Sequence, residues 1–214
     1  MNVEQLQKFE KKIEKIYESG RIKAPIHLRN GNEQELIDIY LGITQDAITE
    51  DDYVFSTWAS HLHAILKGVP ESIIEADIIK GRSITLHYPE YNFYSSAIVG
   101  GIAPIALGVA KALLKQDKKS RVHCFLGDMS FHSGIVNECV RYSIGHDLPI
   151  TWIIEDNGKS VGTDTQPTCG IHTADLYENL RRILRKYQCE RVKMIYYSYK
   201  CSYPHSGTGV FVEF

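Results

Sequence analysis

The chain has 214 residues, 43% apolar and 23% charged, with a net charge of −2 and a pI near 6.5. These values fit one globular domain with a full core and are short for two. A near-neutral balance supplies no global field for nucleic acid or anionic lipid, so neither partner class is expected.

The five cysteines (Cys124, Cys139, Cys169, Cys189, Cys201) are odd in number and form no CxxC pair. They predict reduced thiols in a cytoplasmic compartment. The N-terminus is charged and no run of ~18 apolar residues occurs, so neither a signal peptide nor a membrane span is expected. Basic runs at 115–121 and 181–186 read as solvated helix faces.

In chain order, Val3, Leu6, Phe9, Ile13 and Ile16 recur at three and four residues, which predicts an amphipathic helix over 2–19 closed by Gly20. "NEQELIDIYLGI" predicts a second helix and "DDYVFSTWASHLHAILKG" a third. "PESIIEADIIKG" is a short helix that Pro70 can start. "RSITLHYPEYNFYSSAIVGG" reads as a loop leading into the Ala- and Leu-rich "IAPIALGVAKALLKQ". Short apolar runs then alternate with helical patterns. "RVHCFLG", "LPITWIIE" and "RVKMIYYSY" are strands, "SGIVNECVRYSIG" and "TADLYENLRRILRKY" are helices, and "GVFVEF" is a last strand. Strands apolar on both faces and separated by helices imply an α/β fold, a parallel sheet covered on both sides.

Such sheets bind ligands at the carboxyl ends of their strands. There the sequence places "GDMS" (127–130) and "EDNG" (155–158), while GxGxxG and GxxxxGK[ST] motifs are missing. Asp128 supplies an anionic oxygen and Asn157 a neutral one. With a helix starting at about Ser130, they suit magnesium and a diphosphate. An Asp helix cap followed by a plain Asn-Gly turn explains the same residues, and spacing alone leaves both readings open.

"GDMS" followed by "DN" is similar to the thiamine-diphosphate motif that begins Gly-Asp-Gly and ends Asn-Asn. Its surroundings resemble the alpha subunits of 2-oxo-acid dehydrogenases, acetoin dehydrogenase included. "HLRNGNEQELIDIYLGI" resembles their His-Leu-x-x-Gly-x-Glu segment, and "STWASHLHAILKG" their His-x-His stretch before Lys-Gly. "LHYPEYNFYSSAIVGGIAPIALGVAKA" resembles their Asn-Phe…Gly-Ile-Val-Gly run, and "IIEDNGKSVGT" their Glu-Asn-Asn-x-Tyr-Gly-x-Gly-Thr. The segments keep their order from about His27 to Thr163.

The resemblance implies a thiamine-diphosphate-binding fold of the diphosphate-domain type spanning 1–214, with the N-terminal helix 2–19 available to a partner subunit. It implies Asp128, Asn157 and the main-chain carbonyl of Lys159 as Mg2+ ligands. Main-chain N–H groups of Met129 and Ser130 would meet the diphosphate, and backbone groups of Ala97 and Val99 the aminopyrimidine. Val161 takes the position whose side chain keeps the cofactor bent, with a plain core valine as its other reading. His61 matches the family histidine nearer the cofactor. His63, roughly 200° around the same expected helix, cannot face the same point and reads equally as helix packing. His205 corresponds, after a shift in alignment, to a later diphosphate-touching histidine, and His87 is a weaker candidate facing the substrate channel.

Two departures stand out. Ala59 replaces a family arginine that clamps the diphosphate, a loss that Lys67, Arg82 or a partner-chain residue would have to make good. The chain is also compressed after Thr163, with "YKCSYPHSGTG" where the family carries a long loop. The resemblance implies half of an enzyme, dependent on a pyrimidine-domain beta subunit for the activating Glu, in a heterotetramer. The expected reaction is decarboxylation of a 2-oxo acid such as pyruvate with transfer of the acyl unit to an acceptor, in a biosynthetic setting. A split transketolase-like ketol transferase and a non-catalytic partner-binding remnant are the alternatives.

Overall fold

Leu6, Phe9, Ile13 and Tyr17 lie buried along one side of the first helix, α1 (Val3–Glu18). Asn2 starts it with a reciprocal capping box: its side chain accepts the Gln5 N–H at 3.0 Å, and Gln5 accepts the Asn2 N–H at 2.9 Å. The structure, a computed structural model, describes residues 1–203. His205 and the strand expected in "GVFVEF" lie outside the described residues. The chain divides into two units, one of Met1–Glu50, Ser56–Ala97 and the segment from Tyr199, the other of Asp51–Phe55 and Ile98–Ser198.

After α2 (Glu33–Tyr40), the stretch expected to be a third helix divides in two. Its start is a strand, β1 (Tyr53–Ser56), and only its end is helical, α3 (His61–Leu66). Val54 and Phe55 are fully buried on opposite sides of the strand, and a β-branched and an aromatic residue favour that state. The helical period of "HLHAIL" does not continue back across the break at 57–60. In the first unit α3 is followed by α4 (Glu71–Ile79), with Pro70 at its N-cap.

The expected loop contains a small antiparallel hairpin, β2 (His87–Tyr88) and β3 (Phe93–Ser95), joined by a 3₁₀ turn at Pro89–Tyr91. Asn92 ends that turn at φ 52°, the left-handed region that asparagine tolerates best after glycine.

The second unit contains α5 (Ile102–Lys115), β4 (Val122–Gly127), α6 (Asp128–His132), α7 (Gly134–Gly145) and β5 (Ile150–Asp156). A two-residue-per-strand hairpin follows, β6 (Lys159–Ser160) and β7 (Thr163–Asp164). Then come α8 (Thr165–Cys169), α9 (Thr173–Lys186) and β8 (Lys193–Ser198). Here β1, β4, β5 and β8 run parallel in that order. His123, Cys124, Phe125 and Leu126 are consecutive and all buried, so both faces of β4 are covered. Trp152, buried in β5, donates its indole N–H to Ser143 Oγ at 3.0 Å.

Parallel pairing brings the carboxyl ends of β4 and β5 to one edge, with Gly127 opposite Glu155. Asp156 is in turn opposite Ser198 of β8. Among the described residues no helix is long and apolar enough to cross a membrane.

Candidate functional site

Asp128 follows directly from the end of β4. The helix expected to begin at Ser130 begins at Asp128, with Gly127 as its N-cap, so Asp128 lies in the first turn and is not a cap. Its side chain is buried, and Oδ2 has no hydrogen-bond partner. Burial pushes its pKa from 3.8 up to about 6. The nearby Thr165 hydroxyl and the Met129 N–H pull it down, and the facing Asp156 carboxylate pushes it up.

Asp156 ends β5 and is held from two sides. Oδ1 accepts the Gly158 N–H at 2.9 Å and Oδ2 accepts the Tyr196 hydroxyl at 2.8 Å. Thr165 is 1% exposed, and its Oγ1 lies close enough to the Asp128 carboxylate to lower its pKa without completing a hydrogen bond of good geometry. Asp156, Thr165, His172, Thr173 and Tyr196 line a cleft of about 280 Å³.

Asn157 begins the turn after β5 and its Oδ1 accepts the Lys159 N–H at 3.1 Å. Lys159 lies in β6 with its ammonium 3.6 Å from Asp164, an exposed pair. Val161 and Gly162 form the tip of the β6–β7 hairpin. Val161 is 59% exposed at φ 58°, so it is not a core valine. A β-branched side chain in the left-handed region is an outlier. The Gly158 carbonyl accepts the Thr165 N–H at 3.0 Å, returning the chain to the end of β5.

Met129 is helical, with no positive φ, so a methionine where the motif has glycine imposes no backbone strain. Ser130 is buried, and its carbonyl accepts the Ser133 hydroxyl at 2.7 Å. Ala97 ends a segment of the first unit, and the exposed Val99 lies at the start of one in the second. Beside Val99, Gly100 at φ 70° leaves no room for a Cβ, which would fall 2.9 Å from Ser133 Oγ.

In the first unit His61 and His63 engage different serines. His61 Nε2 is 2.8 Å from Ser83 Oγ, and His63 Nδ1 is 2.6 Å from Ser56 Oγ. Both are buried. Burial, then the charges of His27 and Arg29, lower the His61 pKa to about 3, so its imidazole is neutral. Its Nδ1 has no hydrogen-bond partner. His87 is exposed on β2, 5.0 Å between ring centroids from Tyr94.

At the position of the missing arginine, the Ala59 carbonyl accepts from Arg29 Nε at 2.9 Å, and Arg29 Nη1 donates to the Tyr199 hydroxyl at 2.8 Å. The two substitutes considered above are otherwise engaged. Lys67 donates to the carbonyls of Thr49 and Glu50, each at 2.8 Å, and Arg82 pairs with Asp77.

A buried carboxylate oxygen with no donor, facing a second carboxylate, is costly unless a cation or a proton joins it. The local donors are carboxylate, amide, carbonyl and hydroxyl oxygens, the set that a hard divalent ion takes, so the residues fit magnesium. Asp156 and Thr165 were missed from the sequence. Asp156 stood in the quoted "EDN" beside the chosen Asn157. Nothing in the sequence marked Thr165, which the β6–β7 hairpin brings back.

The dehydrogenase E1 component family profile matches residues 1–178. The pyruvate dehydrogenase E1 component subunit alpha of Porphyra purpurea is 29% identical over 72% of this chain and 48% of its own length. The Rickettsia conorii protein of that name is 30% identical over 74% of this chain and 50% of its own. A chloroplastic form, alpha-3 of Arabidopsis thaliana, is 28% identical over 72% and 39%. The chain thus spans about half the length of the curated relatives it matches. With sheet, profile and relatives in agreement, the chain belongs to the dehydrogenase E1 component family, the alpha-subunit family of thiamine-diphosphate-dependent 2-oxo-acid dehydrogenases.

Proposed function

We propose that this chain is the magnesium- and diphosphate-binding alpha subunit of a two-subunit enzyme that decarboxylates a 2-oxo acid such as pyruvate. The acyl unit passes to an acceptor in a biosynthetic reaction. The observation that carries the reading is the buried, partnerless Oδ2 of Asp128 at the carboxyl end of β4. Thiamine diphosphate, when bound, supplies the acyl-anion chemistry.

The chain's own residues bind and orient. Asp128, Asn157 and the Lys159 carbonyl hold Mg2+, and the Met129 and Ser130 N–H groups take the diphosphate, with His205 beside it. Backbone groups of Ala97 and Val99 hold the aminopyrimidine. The exposed side chain of Val161 supports the bent conformer, presented at the tip of a two-residue hairpin turn that requires its positive φ. His61, neutral and with Nδ1 unengaged, is the proton-handling histidine, and His63 positions the same short helix.

The activating Glu comes from a pyrimidine-domain beta subunit, in a heterotetramer. The apolar stripe of α1 is buried within its own unit, which leaves Lys8, Lys11 and Lys15 on its outer face for that partner. The free cysteines agree with a cytoplasmic setting.

Calorimetry of this chain with its beta partner, Mg2+ and thiamine diphosphate tests the reading. Saturable binding that Asp128→Ala abolishes is expected. No binding overturns it in favour of the partner-binding remnant, the reading that Ala59 favours. Turnover of sugar phosphates in place of pyruvate indicates the transketolase-like alternative.

A further inference from the structure

We propose that Arg29 supplies the positive charge that this chain lacks at position 59, and so takes part in binding the diphosphate of the cofactor. This deepens the cofactor reading above and rests on it.

The assignment comes from geometry within the first unit. The Arg29 guanidinium ends beside the main chain of Ala59, with Nε donating to the Ala59 carbonyl at 2.9 Å. A cation carried by residue 29 therefore stands one hydrogen bond from the backbone that would have carried its own. Arg29 falls at a variable position of the His-Leu-x-x-Gly-x-Glu segment, where the resemblance asks for no charge. Lys67 and Arg82 are engaged elsewhere, with the carbonyls of Thr49 and Glu50 and with Asp77.

The side chain is held for such a role. Nη1 donates to the Tyr199 hydroxyl at 2.8 Å, and the guanidinium carbon lies 5.8 Å from the centre of the Tyr199 ring. The Arg29 backbone N–H is fixed by the Glu10 carboxylate at 3.0 Å. The Ala59 and Tyr199 oxygens are neutral, so these two contacts orient the guanidinium without cancelling its charge. Arg29 is 6% exposed, and a charge in such surroundings acts over a longer distance than one in water. Its field reaches His61, the first-unit histidine assigned to the cofactor, and helps to keep that imidazole neutral.

The test uses this chain with its beta partner and measures thiamine-diphosphate affinity by calorimetry at fixed Mg2+. Arg29→Gln should weaken binding about tenfold or more, the scale of a lost charge-assisted contact. Adding Ala59→Arg to Arg29→Gln should restore most of the affinity. Ala59→Arg alone should bring no gain, because two guanidinium groups would compete for one place. Circular dichroism and urea unfolding check that each variant folds. Should Arg29→Gln fail to fold, Ala59→Arg alone decides, and binding tightened about tenfold overturns the proposal. Wild-type binding that Arg29→Gln leaves unchanged also overturns it, as does a loss that Ala59→Arg does not restore; both leave the cofactor reading intact. Absence of wild-type binding overturns the cofactor reading itself.

Discussion

Between pH 5 and pH 8 a single side chain in α1, Glu10, is expected to cost the protein about 2.5 kcal/mol of stability. Glu10 is 1% exposed, and its two carboxylate oxygens accept the N–H groups of Arg29 at 3.0 Å and Asn30 at 2.9 Å. Burial outweighs those two bonds and raises its pKa from 4.5 to about 7, with Glu33 adding repulsion and Arg29 offsetting it. The folded state therefore keeps a proton that the unfolded chain has already released. The stabilisation is complete below about pH 4.5 and is lost as pH rises through about 7. A shift of that size corresponds to about 3 kcal/mol in full, of which about 0.8 kcal/mol falls between pH 6.5 and 8.

Glu10→Gln removes the titration at the loss of one acceptor, since the amide has only one oxygen for two N–H groups; that loss costs about 1–2 kcal/mol. The variant should therefore be about 1–2 kcal/mol less stable than the wild type at pH 5 and about 0.5–1.5 kcal/mol more stable at pH 8. Urea unfolding at pH 5, 6.5 and 8 in metal-free buffer measures this. Asp128, with its pKa raised to about 6, and His61, with its pKa lowered to about 3, add to the slope of both proteins, so the difference between variant and wild type at each pH isolates Glu10. A variant that keeps the full wild-type slope above pH 6.5 would refute the argument.

Asp128→Asn should abolish Mg2+ binding yet leave the metal-free protein at pH 7 no less stable, because it removes a buried charge; calorimetry and urea unfolding together check this. Val161→Gly should stabilise the apo protein by about 1 kcal/mol through relief of the positive φ while weakening thiamine-diphosphate binding, read from paired melts with and without cofactor. Met129→Gly should cost about 0.5–1 kcal/mol in α6 and leave cofactor affinity unchanged, since the proposed contact is a main-chain N–H.

What could be read from the sequence follows from which interactions are local. β4 and β5 were legible because strands buried on both faces are apolar at every position, and α1 and α9 because their apolar residues keep a helical period. β1 was lost because "YVFS" is four residues long and short apolar runs fit either period. The β2–β3 hairpin was lost because its turn depends on Asn92 accepting a left-handed backbone.

The same division runs through the site. Asp128 and Asn157 were legible because each immediately follows an apolar strand. Asp156 and Thr165 were not, because their relation to Asp128 depends on strand register and on a hairpin that turns back over the strand end. A motif read residue by residue treats position 156 as an interchangeable polar residue next to a ligand. In the folded chain it is a carboxylic acid close enough to raise the pKa of Asp128, where the motif this chain resembles has an asparagine. If Ala59 has removed a cationic clamp from the diphosphate and Arg29 does not replace it, affinity for the cofactor depends more on the metal and less on arginine. Raising Mg2+ concentration should then tighten cofactor binding.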